Sequence, residues 1–166
     1  MNISPNQVYN DIEKKLKIGF LNKTVIEVIE NIAARAITEV RTEDSENNLA
    51  CHSSVSSIMF MNGPVNMALI ISMSIEEAYN IVFYLSGVEV SQLKEDNMRD
   101  VINEIANMIS GKIKAQLNQM GYVYTNSHAF TIFGEDYNIF HRSKLKSIVK
   151  KYKTGTLELN LQILFI

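Results

Sequence analysis

The sequence predicts an α+β domain, an antiparallel sheet with two long helices packed on it, and three observations carry that reading. First, "SSVSSIMFMN" and "VNMALIISMS" read as strands on either side of Asn62-Gly63-Pro64, which is hairpin-turn chemistry. Second, residues 23–39 and 95–120 place apolar side chains at helical spacing. Third, a long helix followed by a strand pair occurs twice. Helices that do not alternate singly with strands argue against a doubly wound parallel sheet.

The elements follow in order. Ser4-Pro5 is a helix start, with serine as cap and proline in the first turn, so a short helix through Lys15 is expected. Val25, Val28, Ile29, Ile32, Ala33 and Ile37 give the 23–39 helix one buried face. "RTEDSENN" reads as a loop. After the hairpin, Ser74 with Glu77 forms a capping box for a helix over 75–86, and Gly87 stops it. The long helix ends at Gly121. "YVYTNSHAFTIFG" reads as a strand, "HRSKLKSIVKKYK" as a basic connector, and "TGTLELNLQILFI" as a final strand. The repeated order suggests an internal duplication of architecture without a repeat in the letters.

Composition narrows the function classes. A chain of 166 residues suits one domain with a sizeable core. A net charge of -2 argues against nucleic-acid or polybasic membrane binding. No run of about 18 apolar residues occurs, so no membrane span is expected. The N-terminus carries acids and amides where a signal peptide is apolar. The single Cys51 permits no internal disulfide, and a cytoplasmic location is expected. His52, His128 and His141 have no metal-ligand spacing, so no metal site is expected. Asp44, Glu46, Glu135 and Asp136 read as solvated loop charges. Lys144, Lys146, Lys150, Lys151 and Lys153 read as a solvated connector. Met59, Met61, Met67 and Met73 read as core.

The long helix is the informative segment. At ~100° per residue, Met98, Ile102, Ile105, Ile109, Ile113 and Met120 fall on one side. Asp100, Glu104, Asn107, Gly111, Lys114 and Asn118 fall in one stripe on the other. Glycine in a helix interior costs about 1 kcal/mol relative to alanine. On an exposed stripe it is either an accident or a gap that lets another backbone come close. Beside that gap, Asn107 offers an amide that donates and accepts, and Glu104 offers a carboxylate. Such a pair on a rigid helix could reach into another protein's cleft.

The pattern Asp100-x-x-x-Glu104-x-x-Asn107-Met-Ile-Ser-Gly111-x-x-Lys114-x-x-Leu117 resembles the signature helix of the CheC/CheX/FliY family of chemotaxis phosphatases, with CheX the nearest branch. "NGPVNMALIISMSIEEAYNIVFYLSGVEV" and "MGYVYTNSHAFTIFG" resemble the family's flanking elements. The resemblance covers residues 23–166 in element order, and residues 1–22 read as a helical N-terminal extension. Only the helix motif is specific in its letters.

The resemblance implies a phosphatase acting on the aspartyl-phosphate of a CheY-type response regulator. In it Asn107 orients the attacking water and Glu104 pairs with a receiver lysine. Asp100, Gly111 and Lys114 lie on the docking surface. The chain has no cofactor of its own, and Mg2+ is expected in the partner receiver domain. A homodimer is expected. The alternative is a non-catalytic module that binds the receiver or serves a flagellar-switch assembly. The first long helix departs from the motif: Asn31 lies four residues after Glu27, and Ala34 and Arg35 stand where a glycine is wanted. One site per chain is therefore expected.

Overall fold

The protein is described by a computed structural model covering residues 5–33, 38–43, 49–51, 55–92, 94–134, 137–139, 145–153 and 158–166. A helical run opens it: α1 (Pro5–Lys15), a π-helical turn (Leu16–Phe20) and α2 (Leu21–Ala33). Strands β1 (Thr38–Glu43), β2 (Leu49–Cys51), β3 (Val55–Asn62) and β4 (Met67–Met73) follow. Then come α3 (Ile75–Ser86) and α4 (Glu95–Gln119). The chain closes with β5 (Thr125–Asn126), β6 (Phe130–Phe133), β7 (Tyr137–Ile139), β8 (Ser147–Lys153) and β9 (Glu158–Phe165).

Every described strand pair is antiparallel, as the sequence predicts. The main sheet runs β1-β8-β9-β4-β3, and β3 then pairs with both β5 and β6. Exchanging β1 with β6, β8 with β3 and β9 with β4 returns the same order. The small β2-β7 pair maps onto itself under that exchange. The twice-occurring helix-strand-strand pattern is thus built as two interlocked halves, each edge strand pairing with the hairpin of the other half.

Alternation assigns the two sheet faces. Val55, Met61, Met67, Leu69, Ile71, Met73, Leu161 and Ile163 point to the helices and are buried with Val25, Ile29, Ile102, Ile105, Ile109 and Ile113. Ile12 and Leu16 are fully buried in the same core. Tyr122 Oη donates to Asp11 at 2.7 Å and Tyr152 Oη to Asn22 at 3.0 Å, tying the first helices to the rest. The opposite face carries Ile58 and Ile70, with Ile132 and Leu164 against them.

The caps follow their expected chemistry. Ser74 Oγ accepts from Glu77 N at 3.2 Å, and Glu77 Oε2 accepts from Ser74 N at 2.9 Å. Glu77 Oε1 also takes the Glu158 N–H at 2.6 Å, fastening α3 to β9. Gly87 and Gly121 end their helices with φ of 67° and 89°, where a side chain would be strained.

Several expectations are corrected. Thr38 and Glu39 belong to β1, not to the preceding helix, and residues 41–43 of the expected loop complete that strand. Thr38, Val40 and Thr42 are β-branched at alternate positions, which suits a strand better than a helix. The expected basic connector contains β8, which sits between β1 and β9. Its inward residues are Ile148, Lys150 and Tyr152, and Lys150 is only 2% exposed. A lysine on the buried face hides the alternation from a sequence reading, because its apolar stem packs while only its head is polar. The expected strand over 122–134 is two pieces. Between them Ser127 N donates to Phe60 O at 2.8 Å, while Ser127 Oγ accepts from Phe60 N at 3.0 Å. Met120 faces outward rather than into the core, because α4 ends one residue earlier. Ser4, Ala34, Arg35, Asp44 and Glu46 lie outside the described residues, as do His52, Glu135, Asp136, His141 and Lys144.

Candidate active site on the long helix

Helix α4 begins with Asn97 Oδ1 accepting from Lys94 N at 2.9 Å. Its buried residues are Met98, Ile102, Ile105, Ala106, Ile109, Ser110, Ile113 and Leu117. That stripe fixes which residues face away. Asp100, Glu104 and Asn107 are exposed, while Gly111 and Lys114 are half-buried. All five expected site residues therefore lie along one side of a single helix.

Glu104 and Asn107 side chains make no hydrogen bond to another described residue. A Cβ placed on Gly111 would meet nothing within 4 Å. The helix thus presents an acceptor carboxylate, an amide and an unfilled gap in succession. Asp100 is less free: Arg99 Nε lies 3.4 Å from its Oδ1, and Arg99 Nη1 lies 2.9 Å from Asp96. Asn118, on the same stripe, spends its Oδ1 on the Tyr124 N–H at 2.9 Å and holds the exit turn.

Both margins of α4 are polar. On one, Lys112 Nζ pairs with Glu27 Oε1 on α2 at 2.7 Å. The ammonium, by hydrogen bond and charge, holds the Glu27 carboxyl below its usual range. Glu27 therefore belongs to the α2–α4 contact. On the other margin, Asn103 Oδ1 accepts from Ser57 Oγ at 2.7 Å and from Thr131 Oγ1 at 2.9 Å. One turn after Asn107, Ser110 Oγ donates to the Asn107 carbonyl at 3.1 Å and accepts from Asn126 Nδ2 at 3.0 Å. Sequence reasoning passed over Asn103, Ser110 and Asn126. Periodicity places Asn103 and Ser110 at the border between the apolar and polar faces but names no partner for them there.

No group of three or more His, Cys, Asp or Glu side chains suited to a metal ion occurs among the described residues. His128 is exposed, away from any such group. No described helix is long and apolar enough to cross a membrane. The polar chemistry exposed on α4 is that of a carboxylate and an amide.

Residues 55–153, more than half of the chain, match the family model described as chemotaxis phosphatase CheX. No curated protein matches the chain by sequence. Solved structures share the fold. A CheC-like superfamily protein from Shewanella sp. PV-4 is 21% identical with a TM-score of 0.77, covering 88% of this chain and 94% of its own. Chemotaxis protein CheX from Vibrio vulnificus is 19% identical with a TM-score of 0.77, covering 90% and 98%. A chain of the CheX-CheY-BeF3-Mg2+ complex from Borrelia burgdorferi is 17% identical with a TM-score of 0.70, covering 87% and 94%. With its antiparallel α+β fold and this family match across β3 to β8, the chain belongs to the CheX family of chemotaxis phosphatases.

Proposed function

We propose that the protein dephosphorylates the aspartyl-phosphate of a CheY-type receiver domain, with α4 laid over the phosphorylated site. One observation carries this: Glu104 and Asn107 stand exposed beside the open space at Gly111, their side chains without a partner among the described residues. An exposed carboxylate and amide are ordinary on a solvated helix face; the glycine beside them, which costs a helix about 1 kcal/mol, is what favours docking. Family membership supports the reaction class. The Borrelia complex, in which a chain of this fold accompanies CheY, BeF3 and Mg2+, supports the choice of partner.

The chemistry asks little of the enzyme. An acyl phosphate is already a good electrophile, so the main barrier is placing a water in line with the phosphorus. Holding reactants in an attack geometry supplies up to about 7–11 kcal/mol of a barrier. The Asn107 amide can accept a hydrogen bond from the water through Oδ1 and donate one through Nδ2, without titrating near neutral pH. Glu104 supplies a charge-assisted contact to a receiver lysine, worth about 1.5–3 kcal/mol when well formed. Gly111 admits the receiver backbone, with Asp100 and Lys114 at the rim. The magnesium that receiver chemistry requires belongs to the receiver.

The test is the decay of acyl phosphate on candidate receivers loaded with acetyl phosphate, with and without this protein. Faster decay supports the phosphatase. Binding without faster decay would indicate a non-catalytic receiver-binding module instead.

A further inference from the structure

The polar margin of α4 facing β3, β5 and β6 has more structure than a helix–sheet contact needs. At ~100° per residue, Asn103, Asn107 and Ser110 fall within an arc of about 60°. Asn107 lies one turn after Asn103 and one turn before Ser110. Both flanking residues are tied to the sheet by side-chain hydrogen bonds, Asn103 to Ser57 and Thr131 and Ser110 to Asn126. Ser110 also grips the Asn107 carbonyl itself.

We propose that Asn103 and the Ser110–Asn126 pair are positioning residues. They fix the rotation of α4 about its own axis and so aim the Asn107 amide. The catalytic consequence rests on the function proposed above; the geometric claim does not.

The physical reason is the difference between directional and non-directional contacts. The buried side of α4 is apolar, and apolar burial has no preferred direction. A helix seated on Ile105, Ile109 and Ile113 alone can roll by small angles against a soft restoring force. Hydrogen bonds weaken steeply when bent. A roll of ~10° moves a side-chain tip about 5–6 Å from the axis by about 1 Å. A misplacement of that size can lower a rate by about a hundredfold. Lys112–Glu27 on the opposite margin opposes rolling the other way. Stability alone does not account for the seam. Asn126 gives its Nδ2 to Ser110 while its buried Oδ1 has no partner among the described residues, an arrangement that an apolar pair would avoid.

The test is Thr131→Val, which removes one donor to Asn103 while keeping shape and leaving α4 untouched. Two nitroxide labels, at Asn107→Cys and Asn62→Cys in a Cys51→Ser background, report the geometry without any receiver. The expected result is a broadened or shifted distance distribution with Thr131→Val that Thr131→Ser restores. In unlabelled protein acting on the receiver that wild type dephosphorylates, kcat is expected to fall about tenfold, within the range for misplacement. KM and Tm should stay near wild type, and Thr131→Ser should recover kcat. Ser110→Ala should repeat the pattern. An unchanged distance distribution overturns the positioning role. So does a loss of kcat that tracks Tm and is not recovered by serine. A wild-type protein with no effect on receiver phosphate refutes the proposed function, while the distance measurement still decides the positioning claim.

Discussion

An alanine at position 111 would meet open space. Nothing inside the molecule therefore requires this glycine, and its helical setting penalises it. Gly111→Ala is expected to stabilise the free protein by up to about 1 kcal/mol. If the gap serves docking, Gly111→Leu should remain folded and lose receiver binding. Melting temperature and affinity, measured side by side, should move independently. Full binding by folded Gly111→Leu would contradict the docking role. The shared outward side of Glu104, Asn107 and Gly111 was legible in the sequence because helical spacing sets them opposite the apolar stripe, while the roles proposed for them come from the resemblance. Asn103 and Ser110 were not legible, because periodicity sorts residues into apolar and polar faces and says nothing about partners at the border. Their partners Ser57, Asn126 and Thr131 are brought to α4 only by the sheet.

Among the elements, α3 and α4 were legible to within a residue, since their periodicity is reinforced by caps. The β3-β4 hairpin was equally clear, its letters agreeing with its turn. Gly63 in that turn has a tertiary reason as well: a Cβ there would sit 2.6 Å from the Tyr124 ring. Tyr124 Oη donates to the Val65 carbonyl at 2.9 Å, so the ring cannot swing aside without breaking that bond. Gly63→Ala is expected to destabilise the protein by about 1–3 kcal/mol, the usual range for overpacking. Urea unfolding should show it, and a variant as stable as wild type would mean the turn can relax. Strands β1 and β8 were hidden for opposite reasons. Ile37 prolonged a helical period into β1. In β8 a buried Lys150 and outward lysines 151 and 153, both near Glu158, masked the inward Ile148 and Tyr152.

Across the whole molecule, two interlocked halves share one core, and tyrosines bridge the first helices, the sheet and the exit of α4. The phenols of Tyr9, Tyr122 and Tyr124 resist ionisation. Burial raises the pKa of Tyr9 and pushes that of Tyr124 from 10.0 up to about 12, while the Asp11 hydrogen bond raises that of Tyr122. These folded-state values lie above the unfolded one. Their stabilisation is thus complete below pH ~10 and is lost as pH climbs toward 12, where the unfolded chain ionises first. Alkaline unfolding should coincide with the last part of the rise in tyrosinate absorbance, that of these three phenols. Ionisation of all the tyrosines well before unfolding would contradict this. The strand exchange that makes the molecule one body was legible only as a repeated order, because pairing between halves leaves no local signal. The function proposed for the assembled molecule rests on one amide. If Asn107 orients the attacking water, Asn107→Ala should keep fold and docking yet lower turnover by a factor on the order of 100 or more. The decisive measurement is the first-order decay of phosphate on an acetyl-phosphate-loaded receiver domain, with wild type and with Asn107→Ala at equal bound fraction. Rapid decay is expected with wild type and decay close to the receiver's own rate with the variant; equal acceleration by both would contradict a catalytic role for Asn107.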